Sequence, residues 1–334
     1  MSRGPFPVPG RLLLLTVDCE AFAPEVLPLW LEAMHYWVVC ARRTVLRFCF
    51  FLSVEDALRI RATGQGEYRR FLAVLRALVD AGSLFYAHNH FVFDPDSGKK
   101  KLLAQEPADI PRGYGKRKSI FYDAVHRHRL DLKAWMTAVR ESYEKVLSDA
   151  GCRSPEFPIF RAGGWDYGDS RSDLSRYIEG LVAAGFRGDS SACRGTFGTP
   201  TWHVGSEFGR NVFRLDGGVL EIAPTWSLDM SAPPLSLWRL RDFLALGRQR
   251  GIWKGGPGAC VVVLHFDHLF RAWSGRSLEA FGTWDAGVIR ARIDRLFRLL
   301  DLLRSLLRLS SGTFDALEDV GSEGGKRLKT SASV

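Results

Sequence analysis

Long apolar runs and the common sequence signatures are both missing from this chain of 334 residues. No apolar stretch reaches the roughly 18 residues that a membrane-spanning helix needs. None of the six cysteines forms a Cys-x-x-Cys pair, which excludes a zinc ribbon and a thioredoxin-type redox motif. The glycine-rich signatures of nucleotide-binding folds are absent, and so are the motifs of DNA- and RNA-binding domains. We therefore expect no nucleic acid among the partners.

The composition is that of an ordinary globular protein. Hydrophobic residues make up 46% of the chain and charged residues 25%, which excludes a wholly disordered, collagen-like or fibrous protein. The net charge of +9 favours anionic partners such as phosphate-bearing substrates or an anionic lipid surface, although a generic basic surface explains it equally well. Nothing in the sequence points to an obligate protein partner.

The first residues predict a location. Residues 1–10 form a proline- and glycine-containing extension, and the apolar run that follows is only "LLLL" before Asp18. Such a run is too short for the core of a secretory signal and ends in charge, so we predict a cytoplasmic protein.

Apolar runs typical of buried strands alternate with amphipathic, helix-like segments along most of the chain. This alternation predicts an α/β fold with a mainly parallel sheet, either a closed barrel or an open doubly wound sheet. One domain is expected over 11–320, with a basic insertion at about 91–130 and a disordered tail at 321–334. Helices are predicted over 25–43, 67–81, 131–150, 171–184, 236–249 and 287–308. Strands are predicted over 11–18, 44–53, 83–90, 157–161, 186–191 and 259–268, with two further strands around a Gly-Gly turn within 211–226.

Polar residues with catalytic chemistry stand at the ends of four of these strands. The four segments are Asp18-Cys19-Glu20, His88-Asn89-His90, Arg161, and His265-Phe266-Asp267-His268. In barrels and open α/β sheets alike, sites are built at the carboxyl ends of the strands. His88 and His90 are two residues apart, so on a strand they point to the same face.

Each of these residues also has an ordinary structural explanation. Asp18 or Glu20 could cap a following helix, Arg161 could pair with a structural carboxylate, and the histidines could be hydrogen-bonded core residues. Taken together, the four strand ends favour a site. One carboxylate and two imidazoles make the mixed set that Zn²⁺, and also Fe, Co or Ni, accepts, which indicates metal-assisted hydrolysis.

Several segments resemble the motifs of the polysaccharide deacetylases, the NodB-homology fold of carbohydrate esterase family 4. The resemblance covers roughly residues 11–320 and is most specific over 157–193. Its segments are "LLLLTVDCE", "RFCFFLSVEDA", "AHNH", "FRAGGW", "LVAAGFRGDSSAC", "LEIAPTW", "VVLHFDH" and "SSGTFDALEDV".

This resemblance implies a distorted (β/α) barrel and a role for each matching residue. Asp18 would be the general base, Arg161 would orient that base, and His265 would be the general acid. The divalent metal, zinc in the first place, would be held by Glu20, His88 and His90. Among aromatic residues, Trp226 would line the acyl pocket and Trp165 would contact substrate.

The sequence departs from the family pattern at two places. Cys19 stands where the family usually has its metal-binding Asp, so the metal role passes to Glu20, or else Asp18 itself binds metal and the base is elsewhere. The metal histidines of the family usually lie four residues apart, whereas His88 and His90 lie two apart.

The expected activity is metal-dependent removal of an acyl group, N-acetyl in the first place, from a carbohydrate, glycolipid or phosphate-bearing sugar. One alternative is a metal-free hydrolase of the same fold that cleaves another non-peptide amide, and another is an inactive barrel that binds glycans or a partner. In the insertion, Tyr114 could stack on a sugar face, and the lysines at 99–101 could attract a phosphate or an anionic membrane surface.

Overall fold

The structure is a computed structural model that describes residues 12–19, 27–90, 125–126, 129–163, 171–191, 212–228, 259–270, 273–274, 277–278 and 285–317. The N-terminal extension, the predicted helix at 236–249, the predicted tail at 321–334 and nearly all of the basic insertion lie outside these residues.

Helices alternate with strands in chain order, as the sequence pattern predicts. The α-helices are α1 (Leu27–Arg42), α2 (Val54–Thr63), α3 (Gln65–Asp80), α4 (Leu132–Asp149), α5 (Arg171–Ala183) and α6 (Ala286–Leu306). The strands are β1 (Leu12–Cys19), β2 (Phe48–Ser53), β3 (Leu84–Asn89), β4 (Ile159–Ala162), β5 (Gly188–Asp189), β6 (Val212–Arg214), β7 (Leu220–Ile222), β8 (Trp226–Leu228), β9 (Ala259–His265), β10 (Trp273–Ser274), β11 (Ser277–Leu278) and β12 (Ser310–Ser311).

One long sheet joins all of these strands except the small β10–β11 hairpin. Its order is β6-β7-β5-β4-β3-β2-β1-β9-β8, and β12 pairs with the start of β1. Only β6 runs antiparallel within it, against β7. β1 lies between β2 and β9, and all eight of its residues are buried. A strand covered on both faces needs a continuous apolar run, which is why "LLLL" forms it.

The two faces of the sheet are buried in different ways. On the outer face, residues such as Leu13, Leu15 and Val17 pack against the helices. On the inner face, Leu14, Phe51 and Tyr86 belong to a second apolar cluster. Besides strand residues it includes the short 3-10 turn Phe314–Leu317, and no residue of a described α-helix takes part. Strand side chains can bury one another in this way only if the sheet curves around them. The fold is therefore an α/β barrel of distorted, partly open form, as expected.

The outer core is rich in aromatic residues. Trp37 of α1 makes edge-to-face contacts with Phe48, Phe50 and Phe297, with ring centroids 5.1, 6.1 and 5.2 Å away. Such contacts add to the free energy gained by burying the rings. They hold α1 and α6 against β2, next to β1.

The structure differs from the predicted elements around β2. β2 begins at Phe48 rather than at 44, because the amides of Arg43 and Thr44 bond back to the carbonyls of Cys40 and Ala41 in a turn that ends α1. The helix α2 directly after β2 was not predicted, because it is only ten residues long and half of them are polar. Cys19, Cys49 and Cys260 lie in β1, β2 and β9, and all three residues are buried.

No helix in the part of the chain that the structure describes is long and apolar enough to cross a membrane.

Candidate active site

The strand ends predicted to carry the site are neighbours in the sheet. In the parallel register Asp18 of β1 lies beside His265 of β9, and His88 of β3 lies beside Arg161 of β4. Ser53 at the end of β2 is in register with His88. All of these residues therefore stand at the carboxyl edge of the sheet, where parallel α/β folds build their sites.

The side chains also share the inner face of the barrel. Along a strand, alternate residues point to the same face. Asp18, His88 and His265 are separated by an even number of residues from Leu14, Tyr86 and Val261, respectively, so each points to the same face as that apolar residue. The three apolar residues belong to the inner core. The site thus sits directly on top of the inner apolar cluster.

Asp18 and Arg161 form a fully buried ion pair. Nη1 of Arg161 donates to Oδ1 of Asp18 at 2.5 Å, and the two side chains are 2% exposed or less. A buried charge is costly unless it is paired and hydrogen-bonded, so each of these two groups requires the other.

Neutral groups satisfy the rest of the Arg161 guanidinium. Nε donates to the carbonyl of Ser190 at 3.1 Å, and Nη2 donates to Oγ of Ser190 at 2.9 Å. Oγ1 of Thr16 accepts from both terminal nitrogens at 3.1 Å. The guanidinium carbon lies 3.8 Å from the centre of the Phe51 ring, a cation–π contact with the core below. These contacts fix the planar group, and with it the orientation of Asp18.

His88 is buried and its ring orientation is set by the backbone of the neighbouring strand. Its Nδ1 lies 2.9 Å from the carbonyl oxygen of Arg161. A carbonyl can only accept, so Nδ1 carries the proton and the neutral ring has its lone pair on Nε2. This is the tautomer that binds a metal through Nε2.

His90, just after the end of β3, is held by a carboxylate that the sequence analysis did not single out. Its Nδ1 lies 2.6 Å from Oε1 of Glu55, the second residue of α2, and its backbone amide donates to the same oxygen at 3.1 Å. The rings of His88 and His90 are 4.6 Å apart and nearly perpendicular. The two histidines thus lie together on the inner face.

Glu55 is ionised in this setting. Burial by itself would raise the pKa of Glu55, but the hydrogen bond from His90 and the electrostatic interactions with His90 and His88 outweigh burial and lower the pKa to about 2. Its second oxygen accepts from Nδ2 of Asn89 at 3.0 Å, and Oδ1 of Asn89 accepts from the indole of Trp135 at 3.0 Å. As an ionised carboxylate is only an acceptor, His90 must be the donor at Nδ1.

His265 is half-buried on the other side of Asp18. Its ring stacks on that of His268, with centroids 5.0 Å apart, and His268 belongs to the 3-10 turn Phe266–Phe270 that follows β9. Asp18 therefore has Arg161 as its direct partner and an imidazole on the adjacent strand.

The donor chemistry of the two β3 histidines fits a divalent metal. Metal-binding histidines usually donate their second ring N–H to a carboxylate or a carbonyl, and His90 and His88 do so to Glu55 and to the Arg161 carbonyl. Within the described ranges, no cluster of three or more His, Cys, Asp or Glu side chains is arranged to hold a metal ion. The predicted third ligand, Glu20, lies outside those ranges.

Of the three aromatic residues predicted to contact substrate, the structure describes only the backbone of one. Trp165 and Tyr114 lie outside the described residues. Trp226 begins β8, in register with Val262 of β9, and only its backbone is described. Their roles stay predictions.

The sequence analysis missed the groups that orient the predicted residues. Thr16 and Ser190 are hydroxyl residues within strands or at their ends, where such residues are common and carry no signal of their own. Glu55 stands in the first turn of a helix, where an acid is ordinarily explained by the helix dipole. Only the fold shows that its carboxylate turns toward β3.

No protein-family model matches the chain, and no curated protein sequence matches it. Seven chains of solved structures do. One is a family 4 carbohydrate esterase from Streptomyces lividans in complex with acetate, at 13% identity over 92% of this chain and 95% of that one, with a TM-score of 0.38.

Two further structures are similar over the same share of this chain, 92%. A protein from Mycobacterium smegmatis described as a polysaccharide deacetylase is 15% identical over 94% of its own length, with a TM-score of 0.45. A peptidoglycan N-acetylglucosamine deacetylase in complex with 4-naphthalen-1-yl-N-oxidanyl-benzamide is 11% identical over 88% of its length, with a TM-score of 0.34.

Proposed function

We propose that this protein is a metal-dependent hydrolase that removes an acyl group, in the first place N-acetyl, from an amino sugar or a sugar-linked substrate. The observation that carries the proposal is the buried Asp18–Arg161 pair at the strand edge that also holds His88 and His265. A carboxylate held by a guanidinium beside imidazoles has the groups that acid–base hydrolysis of an amide needs.

Asp18 serves as the general base in this proposal. It takes a proton from the attacking water, whose oxygen forms the new bond to the acyl carbon. Arg161 keeps the carboxylate in one orientation through its bond to Oδ1, and its own position is fixed by Thr16 and Ser190. Holding the base in place in advance lowers the entropic cost of reaching the transition state.

His265 serves as the general acid. When the carbon–nitrogen bond breaks, the departing sugar nitrogen needs a proton, and His265 supplies it from the strand beside Asp18. The products are the free acid and the sugar amine, so the reaction consumes one water and needs no redox partner.

The metal would be held by His88, His90 and Glu20. When bound, a divalent ion polarises the acyl carbonyl and makes water a better nucleophile near neutral pH. The support for this part is the hydrogen bond that each histidine donates from Nδ1, which leaves the lone pair of each neutral ring on Nε2, the atom that would bind the metal. Zinc suits two imidazoles and a carboxylate best, and Co, Ni and Fe accept the same set.

The proposed substrate is a carbohydrate or a glycolipid. If the basic insertion at about 91–130 takes part in binding, the substrate also carries a phosphate group. The motif resemblance supports the sugar, and the net charge of +9 supports the anionic group. We also propose peripheral contact with an anionic membrane, because the lysines at 99–101 that would attract a phosphate would also attract anionic lipids.

Elemental analysis of the purified protein, combined with an assay for acetate release from N-acetylglucosamine oligomers, tests the proposal. We expect about one bound divalent ion per chain, and acetate release that stops on chelation and returns when zinc is added back. Acetate release that is indifferent to chelation would favour a metal-free amide hydrolase. Bound metal without hydrolysis of any N-acyl sugar would favour an inactive glycan-binding barrel.

A further inference from the structure

We propose that Glu55 is the positioning residue of the metal site: it fixes the ring of His90 so that Nε2 faces the ion, and Gly163 leaves the space that the ring occupies. This inference rests on the metal site of the proposed function and assigns a role to two residues outside the predicted ligand set.

Glu55 holds the end of β3 through both of its carboxylate oxygens. Oε1 accepts from Nδ1 and from the backbone amide of His90, at 2.6 and 3.1 Å. Oε2 accepts from the Asn89 side chain at 3.0 Å. Two bonds to one residue, one to its backbone and one to its ring, determine both where His90 lies and how its ring is turned.

Structural need alone does not account for a charged group at this position. Glu55 is almost fully buried, and taking a carboxylate out of water is unfavourable unless strong hydrogen bonds compensate. Neutral groups can bond an imidazole N–H equally well, as the Arg161 carbonyl does for His88. A carboxylate differs because it makes the imidazole more basic and hence a stronger metal ligand, which is its usual role behind a metal-bound histidine.

Gly163, which follows β4, lies so close to the His90 ring that no side chain fits at this position. A Cβ atom on Gly163 would lie 2.1 Å from Cδ2 and 2.3 Å from Cγ of His90, and 2.8 Å from its Cα. The last of these atoms is backbone, so a change of side-chain rotamer would not relieve the contact. Any side chain at 163 would therefore displace His90 from Glu55.

The test measures zinc affinity by competition with a chromophoric chelator, using full-length protein and zinc alone. For Glu55→Gln we expect the zinc Kd to rise about 10–100-fold, the usual cost of losing the carboxylate behind a metal-bound histidine. Gly163→Ala should raise the Kd at least as much. The matched control is Asp56→Asn. Asp56 is the next residue of α2 and is also a buried acid, but its carboxylate pairs with Arg59 and not with a histidine.

A second measurement needs neither metal nor activity. In ¹⁵N-labelled, metal-free protein, His90 should show a protonated Nδ1 with a hydrogen-bonded proton, and this signal should move or disappear in Glu55→Gln. The urea midpoint of each variant shows whether the chain is still folded. Nδ1 of His90 unprotonated in the wild type would overturn the proposal.

The outcomes separate this inference from the proposed function. Wild-type zinc affinity in Glu55→Gln, with the affinity lost in His90→Ala, overturns the positioning role and leaves the hydrolase intact. Weaker zinc binding in Glu55→Gln supports the role even if no N-acyl sugar is hydrolysed. Wild-type protein that binds no zinc overturns both.

Discussion

Asp18 and Arg161 meet over the inner core although they belong to strands that are separated by two others, β2 and β3. Only a strongly curved sheet with a long arginine side chain brings such strand ends into contact. The pair therefore links β1 to β4 across the inner face, and it depends on the strands β2 and β3 that lie between them.

The first prediction concerns the stability of this pair. Asp18→Asn or Arg161→Gln leaves the other charge buried without a counterion, so each should lower the free energy of unfolding by about 3–5 kcal/mol. The double variant should lose clearly less than the sum, because neither charge is then left behind. Urea unfolding of all four proteins measures this coupling, and additive losses would show that the two groups act independently.

The second prediction concerns His265 as the acid. His265→Ala should lower kcat by about 10²–10⁴ and leave bound zinc unchanged. His35→Ala, on the exposed side of α1, is the matched control and should keep full activity. Steady-state kinetics with metal analysis gives the answer. Loss of zinc, or full activity, in His265→Ala would remove this residue from the proposed role.

The third prediction concerns the dependence of stability on pH through Asp56. Burial raises the pKa of Asp56 to about 6, with a further rise from the Glu55 charge, although Arg59 acts in the opposite direction. A raised folded-state pKa means that the native chain holds the proton more tightly than the unfolded chain. The stabilisation is thus complete below the unfolded pKa of about 4 and is lost as the pH rises to about 6.

Urea unfolding between about pH 4 and pH 6.5 checks this prediction against Asp56→Asn, which cannot titrate. The difference in free energy of unfolding between wild type and variant should shift in favour of the variant as the pH rises. Parallel pH curves for the two proteins would contradict the assignment.

The fourth prediction concerns the basic insertion. If its lysines attract an anionic substrate, kcat/KM should fall steeply with ionic strength, because the Debye length shrinks from about 10 Å at 0.1 M to about 3 Å at 1 M. Replacing Lys99, Lys100 and Lys101 by Gln should flatten that dependence. Lys145→Gln, near the end of α4, is the control. Rates indifferent to salt and to the three lysines would leave the insertion without a role in steering.

The positions of most strands along the chain were predictable from the sequence because the signal is local. Buried parallel strands need unbroken apolar runs, and the runs of β1 and β9 end directly at Asp18 and His265. That His88 and His90 point to the same face also follows from the two-residue period of a strand. These regularities are properties of single segments, so no knowledge of the fold was needed to recognise them.

The orienting contacts were not predictable, because they join segments far apart in the chain. Arg161 bonds Thr16, 145 positions away, and His90 bonds Glu55, 35 positions away. In the sequence, nothing distinguishes Thr16 from the other residues of its strand, or Glu55 from any acidic residue at the start of a helix. The long-range pairing that gives each its role depends on the register and curvature of the sheet.

The contact between Gly163 and His90 has an evolutionary consequence. The "AHNH" and "FRAGGW" segments cannot change independently, since a side chain at position 163 and an imidazole at position 90 would occupy the same space. In chains of this fold, a histidine at the position of His90 should therefore occur together with glycine at the position of Gly163. Lineages that give up the glycine should have lost the histidine too, so this one backbone position would distinguish barrels that retain the histidine pair from those that have abandoned it.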